Sequence, residues 1–268
     1  MTIKIDYSRD KLFDEFSIRT LEDRYMVADE TSPQQAFARA AKVFSDDDDH
    51  AQRLYDYVSN HWFMFATPLL SNGGTERGLP ISCFLNYVDD SREGITEHYT
   101  ENAYLSSFGG GIGGTWSDIR AAGTKTSKGS ESTGVIPFMK VVDAEMLAFS
   151  QGITRRGSYA SYLHMSHPEI EEFLDIRKPT GGDTNRKCLN LHHGVVIPDK
   201  FMEIIHMATK TEGFDDSWEL IDPHSGEVKK VVSARTLWVK LLQNRMETGE
   251  PYLMFEDAVQ ADLPDFQK

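Results

Sequence analysis

The chain has 268 residues, 40% hydrophobic, 26% charged and 11% aromatic, proportions that suit a folded protein with a real core in one large domain or a small domain beside a larger one. A balance of 28 basic against 42 acidic residues leaves a formal net charge of −14, which repels nucleic-acid backbones and disfavours a general DNA or RNA binder. With two cysteines, no apolar run of membrane-spanning length and no signal-peptide core in Met1-Thr2-Ile3-Lys4-Ile5-Asp6, the sequence predicts a cytoplasmic chain with reduced thiols rather than a disulfide scaffold or a membrane protein.

Residues 1 to about 70 read as mainly helical. Ser32-Pro33 offers an N-cap and a first-turn proline for an alanine-rich helix over 34–43. The carboxylates of Asp47 to Asp49 open a second helix, expected to run through Leu54, Tyr57 and Val58 towards Trp62, Phe63 and Phe65. Residues 66–74 are turn-rich. A strand follows around Ile81-Ser82-Cys83-Phe84-Leu85-Asn86, then a helix over 91–107 capped by Asp89-Asp90-Ser91. The glycine cluster 109–114 reads as a helix C-cap and tight turn, residues 116–121 as a short strand and 123–134 as an exposed loop. Val135, Met139, Val142, Met146 and Phe149 form a narrow helical stripe suited to pack against another helix. Strands over 159–164 and 191–197, helices from Ser166 and through Phe201, a hairpin over 218–232 and a helix over 233–248 complete the chain. Strands alternating with helices predict an α/β domain with mostly parallel strands.

Cys83 on its own is a small core hydrophobe, but Ser82, Thr67 and the glycine cluster make its surroundings site-like. The basic neighbours of Cys188 could lower its pKa, yet an incidental buried thiol is the favoured reading. The glycine cluster follows a helix and lacks Gly-Lys-Ser/Thr, so it is neither a dinucleotide fingerprint nor a P-loop; exposed backbone N–H groups would suit a phosphate or ribose. His192 and His193 point to opposite faces of a strand, no helix carries a ligand-spaced His pair, and no bound metal is expected. Asp90 could accept a ribose hydroxyl. Arg120, Lys128, Arg155 and Arg156, flanked by glycine-rich loops, could together hold a triphosphate.

In order, Thr67-Pro68, Ser82-Cys83, Asp90-Ser91, the glycine cluster, Ile119-Arg120-Ala121-Ala122-Gly123 and Ser150-Gln151-Gly152-Ile153-Thr154-Arg155-Arg156-Gly157 resemble the large (alpha) subunit of aerobic, class I ribonucleotide reductases, from about residue 65 to the end. The resemblance implies a helical N-terminal region, 1–66, followed at 67–268 by the first half of a ten-stranded α/β barrel. It implies thiol-dependent radical reduction of ribonucleotides to deoxyribonucleotides for DNA synthesis, with Cys83 as one reducing thiol. Thr67, Ser82, Cys83 and Gly111 match substrate positions. Asp90, Ser91, Arg120 and, more loosely, Lys128 match the site of an allosteric deoxynucleoside triphosphate or ATP. Gln151 and Arg155 match the loop relaying effector identity to the substrate. Helices 91–107 and 135–149 match a homodimer-forming pair. The implied partners are a radical-generating, metal-containing small (beta) subunit, a thioredoxin or glutaredoxin reductant, and the remaining C-terminal half of the subunit; neither nucleic acid nor membrane is implied, and this chain itself holds no cofactor. The thiyl-radical cysteine of an Asn-x-Cys-x-Glu motif, the redox partner of Cys83, a C-terminal cysteine pair and an ATP-cone are not found, so the chain is expected to be a truncated or split subunit, inactive alone. The alternatives are a non-catalytic nucleotide-binding or assembly module derived from the same subunit, and an unrelated α/β enzyme whose glycine cluster binds another phosphate.

Overall fold

The computed structural model describes residues 3–149 and 157–267. They fall into two compact units: the smaller holds residues 3–83 and 108–110, the larger 84–107, 111–149 and 157–267.

The smaller unit is helical. After a 3-10 turn at Tyr7–Leu12 come α1 (Glu15–Arg24), α2 (Pro33–Val43), α3 (Asp48–Ser59) and α4 (Thr67–Asn72). Ser32 and Gln35 close a capping box on α2, and the Asp47 carboxylate accepts the N–H of His50 to cap α3. Ala36, Phe37, Ala40 and Ala41 of α2 pack with Tyr55 and Val58 of α3 in a separate small core. Two expectations change here. Helix α3 stops at Ser59, short of Trp62, Phe63 and Phe65, and Tyr57, Trp62 and Phe63 are exposed. The turn-rich segment 66–74 contains α4, started by Pro68 in its first turn.

The larger unit is α/β. Its elements are β1 (Cys83–Tyr87, whose first residue belongs to the smaller unit), α5 (Arg92–Ser107), β2 (Gly111–Thr115), α6 (Ile136–Ala148), β3 (Ser158–His164), α7 (Ile170–Phe173), β4 (His192–Ile197), α8 (Asp199–Lys210), β5 (Ser217–Ile221), β6 (Val228–Ser233), α9 (Ala234–Thr248), β7 (Tyr252–Phe255) and α10 (Glu256–Asp262). The five-stranded sheet has the order β1-β2-β3-β4-β7, and β2, β3, β4 and β7 run parallel. Such sheets need helices on their faces, and the apolar run of β4 is buried accordingly. The predicted hairpin is the antiparallel pair β5–β6. Gly249, at φ 80°, ends α9 as expected.

The glycine cluster departs most from expectation. Gly109 (φ 78°) does follow α5 as a left-handed turn, but Gly111 to Thr115 then form an interior strand, and 116–121, expected as a strand, is a turn. Glycine is required there by close approach. A Cβ on Gly114 would lie 1.8 Å from the Tyr159 hydroxyl, and one on Gly113 would lie 2.9 Å from Leu85. The stripe on α6 is also reassigned: Val135, Met139, Val142 and Met146 are buried in the core of this same unit, and Phe149 alone of the five is exposed. The apolar side chains that α5 and α6 expose are instead residues such as Tyr104, Val141 and Leu147. Helix α7 ends at Phe173, well before Arg177, which donates to the carbonyls of Leu189 and Leu191. His192 and His193 both reach one carboxylate, Glu250, just before the unanticipated strand β7.

Candidate functional site

Four of the residues singled out in the sequence converge. Asp90 follows β1, Ser91 immediately precedes α5, and Arg120 lies in the turn after β2. Lys128 lies on the loop between that turn and α6. All four line one cavity of about 440 Å³, within the size range of small-molecule sites. Its walls add the hydroxyls of Ser127 and Ser130, and its apolar side is Ile95, Ile119 and Phe138.

The polar geometry is well defined. Arg120 Nε donates to both Asp90 carboxylate oxygens, at 2.8 and 3.1 Å, and its Nη1 donates to the Lys125 carbonyl at 3.2 Å. The imidazole of His224 approaches Asp90 Oδ2 at 3.2 Å. Ser91 Oγ accepts the N–H of Gly94 at 3.0 Å, capping α5. The loop is drawn into a small ribbon by a backbone bridge between Lys125 and Glu131, their ion pair at 2.9 Å, and a left-handed Gly129. Lys128 is exposed and forms no ion pair with a described residue. The guanidinium groups of Arg92 and Arg120, the Lys128 ammonium and several hydroxyls, with the carboxylates of Asp90, Glu93 and Glu131 and an apolar wall, can take a polyphosphate, a hydroxylated sugar and a flat ring.

The substrate-type residues divide between the units. In the smaller unit Thr67 opens α4, its hydroxyl 3.3 Å from that of Tyr25, and the buried Ser82 precedes the exposed thiol of Cys83. In the larger unit Gly111 opens β2, opposite Ser158 of β3. Gln151 and Arg155 lie outside the described residues. Cys188 is fully buried, and burial first, then the nearby Asp143, push its thiol up to about 12, which removes it as a nucleophile. Among the described residues no group of three or more His, Cys, Asp or Glu side chains is placed to hold a metal ion. No described helix is long and apolar enough to cross a membrane.

Sequence reasoning missed two neighbours of the cavity. Asp222 and His224, from the turn between β5 and β6, stand about a hundred residues away in sequence. The turn-forming Asp-Pro-His-Ser-Gly signalled a hairpin but not what its tip would touch.

An all-helical region followed by a parallel α/β sheet defines the class as an α/β barrel-type protein with a helical N-terminal part. Residues 81–265 match the family model described as ribonucleotide reductase, barrel domain, and residues 11–78 match ribonucleotide reductase, all-alpha domain. The chain belongs to the ribonucleotide reductase large-subunit family. It is 46% identical over 266 residues to the ribonucleoside-diphosphate reductase large subunit of Invertebrate iridescent virus 6, covering 99% of this chain and 27% of that one. The Arabidopsis thaliana large subunit is 34% identical over 279 residues, with 95% and 34% covered. A solved structure of the Actinobacillus ureae class Id ribonucleotide reductase alpha subunit superposes with a TM-score of 0.72 at 28% identity, covering 98% of this chain and 43% of that one. The chain thus spans about a quarter to a half of the length of these relatives.

Proposed function

We propose that this chain supplies the effector site and part of the substrate site of a cytoplasmic ribonucleotide reductase large subunit. The observation that carries the reading is the convergence of Asp90, Ser91, Arg120 and Lys128 on one cavity in a chain of this family. A deoxynucleoside triphosphate or ATP sets its phosphates against Arg120 and Lys128 and its sugar hydroxyl against Asp90. To engage phosphate, the Arg120 guanidinium turns its Nη edge outward while Nε keeps its hold on Asp90. Gln151 and Arg155 relay the identity of the base to the substrate, which is held by Thr67, Ser82 and Gly111. Cys83 donates reducing equivalents to the ribose and is regenerated by a thioredoxin or glutaredoxin. A metal-containing small subunit supplies the radical, the rest of the large subunit supplies the remaining thiols, and two copies pair through α5 and α6.

Equilibrium dialysis of the full chain against labelled dTTP tests this. Binding is expected, and Arg120→Ala weakens it on the order of tenfold or more, the weight of a charged hydrogen bond to phosphate. Absence of any deoxynucleotide or ATP binding to the native chain sinks the reading. In an assembly completed with the remaining large-subunit segment and the small subunit, Cys83→Ser abolishes turnover while leaving dTTP binding intact. Unimpaired turnover in that variant favours a non-catalytic module instead.

A further inference from the structure

The tip of the β5–β6 hairpin is built into the cavity wall without lining the cavity. Asp222 is fully buried, and its two carboxylate oxygens serve two segments. Oδ1 accepts the N–H groups of His224 (3.1 Å) and Ser225 (2.7 Å) and the Ser225 hydroxyl (2.9 Å), which fixes the hairpin turn. Oδ2 accepts the N–H of Ala121 at 2.8 Å and the Thr124 hydroxyl at 2.7 Å, which anchors the loop immediately after Arg120 and before Lys128. The rigid turn then delivers the His224 imidazole to Asp90 Oδ2. The Asp90 carboxylate therefore has the Arg120 guanidinium hydrogen-bonded to it and the His224 imidazole 3.2 Å from Oδ2.

We infer that Asp222 and His224 are positioning residues of the nucleotide site: Asp222 fixes the phosphate-binding loop, and His224 orients the Asp90 carboxylate towards the sugar. This rests on the effector-site reading above. Its physical content is a division of labour. When a phosphate group draws on the Nη groups of Arg120, Nε alone still holds the Asp90 carboxylate, and His224, 3.2 Å from Oδ2, is the second group that limits its rotation and keeps it turned to accept a sugar hydroxyl. His224 itself is not among the residues that line the cavity. Burial alone would raise the Asp222 carboxyl, but the donors from Ser225, Thr124 and Ala121 outweigh it and hold it at about 2, so the clamp stays ionised under ordinary conditions.

The test compares two probes on the full-length chain by isothermal titration, dTTP and inorganic tripolyphosphate, the second lacking sugar and base. His224→Ala is expected to weaken dTTP about threefold to tenfold, as for loss of a polar contact beside a charged group, and to leave tripolyphosphate unchanged. His224→Asn, which can place an amide N–H near the former Nδ1, restores most of the loss. Thr124→Val removes one bond of the Asp222 clamp at constant side-chain size, and it weakens both probes by a similar factor. The inference is overturned if His224→Ala weakens both probes equally, if it changes neither, or if Thr124→Val leaves both unchanged. Failure of the native chain to bind either probe would instead overturn the effector-site reading itself.

Discussion

Glu145 lies on α6 with Oε2 buried and without a hydrogen-bond partner, and burial raises its carboxyl to about 7. A raised carboxyl favours the fold while protonated, so its contribution is lost as pH rises from about 4.5 in the unfolded chain through about 7 in the folded one. Glu145→Gln keeps the shape and removes the charge. It should raise stability at pH 8 by about 1–3 kcal/mol and leave it nearly unchanged at pH 4.5, as read by urea midpoints. The two cysteines make a second residue-scale contrast. Cys83 is exposed, whereas Cys188 is sealed in the core with its thiol pushed up to about 12. Iodoacetamide should label Cys83 in the native chain and Cys188 only after unfolding, which peptide mass mapping decides; labelling of both at equal rates contradicts the packing.

Strand β2 shows where sequence reading reaches its limit. The helices α2 and α3 of the smaller unit announced themselves through local chemistry, since Ser32-Pro33 and Asp47 supply their N-terminal caps. Strand β4 was equally readable as an apolar run. Gly111-Ile112-Gly113-Gly114-Thr115, with three glycines in five residues, has little strand propensity, and it is a strand through its parallel pairing with β3, with Gly113 and Gly114 where neighbours leave no room for a Cβ. That reason is tertiary and invisible along the chain. The α6 stripe has a helical period that marks a buried face, but periodicity does not name what buries it, and here it is the core of its own unit. Gly114→Ala tests the strand directly. The new methyl would have to displace the Tyr159 hydroxyl, which receives the Trp116 indole N–H at 3.0 Å and lies 2.9 Å from His98 Nε2. A loss of about 2–4 kcal/mol is expected, from overpacking plus disrupted buried hydrogen bonds, with little cost for alanine at the open position Gly123 beyond its backbone strain.

At the scale of the molecule, the cavity residues were legible because they lie in short motifs, whereas Asp222 and His224 were not, because only folding brings the hairpin tip to the loop after Arg120. The larger unit also gathers buried ionisable groups whose titrations oppose one another. His98 and His167 are buried, and desolvation lowers both to about 4. A lowered histidine stabilises the fold fully above the unfolded value of 6.5, and that stability is lost as pH falls towards 4, at most about 3 kcal/mol each. Over much of the same range Glu145 acts in reverse and gains stability as pH falls. In the native chain the two effects partly cancel between about pH 7 and 4.5, leaving a net loss near that of one histidine. Below about 4.5 the compensation ends. Asp222 and Glu250, each held at about 2 despite burial by hydrogen bonds that outweigh it, then begin to lose their contributions as pH falls through their folded values. Acid unfolding should therefore be gradual at first and steep below pH 4.5, followed by fluorescence of the buried Trp116 and Trp218 under urea at stepped pH. Glu145→Gln removes the compensating carboxyl, so the variant should lose stability more steeply than the native chain between pH 7 and 4.5, and the two curves should meet near pH 4.5. Parallel curves across that interval would mean that Glu145 is ionised in the fold and that its burial costs less than its surroundings imply.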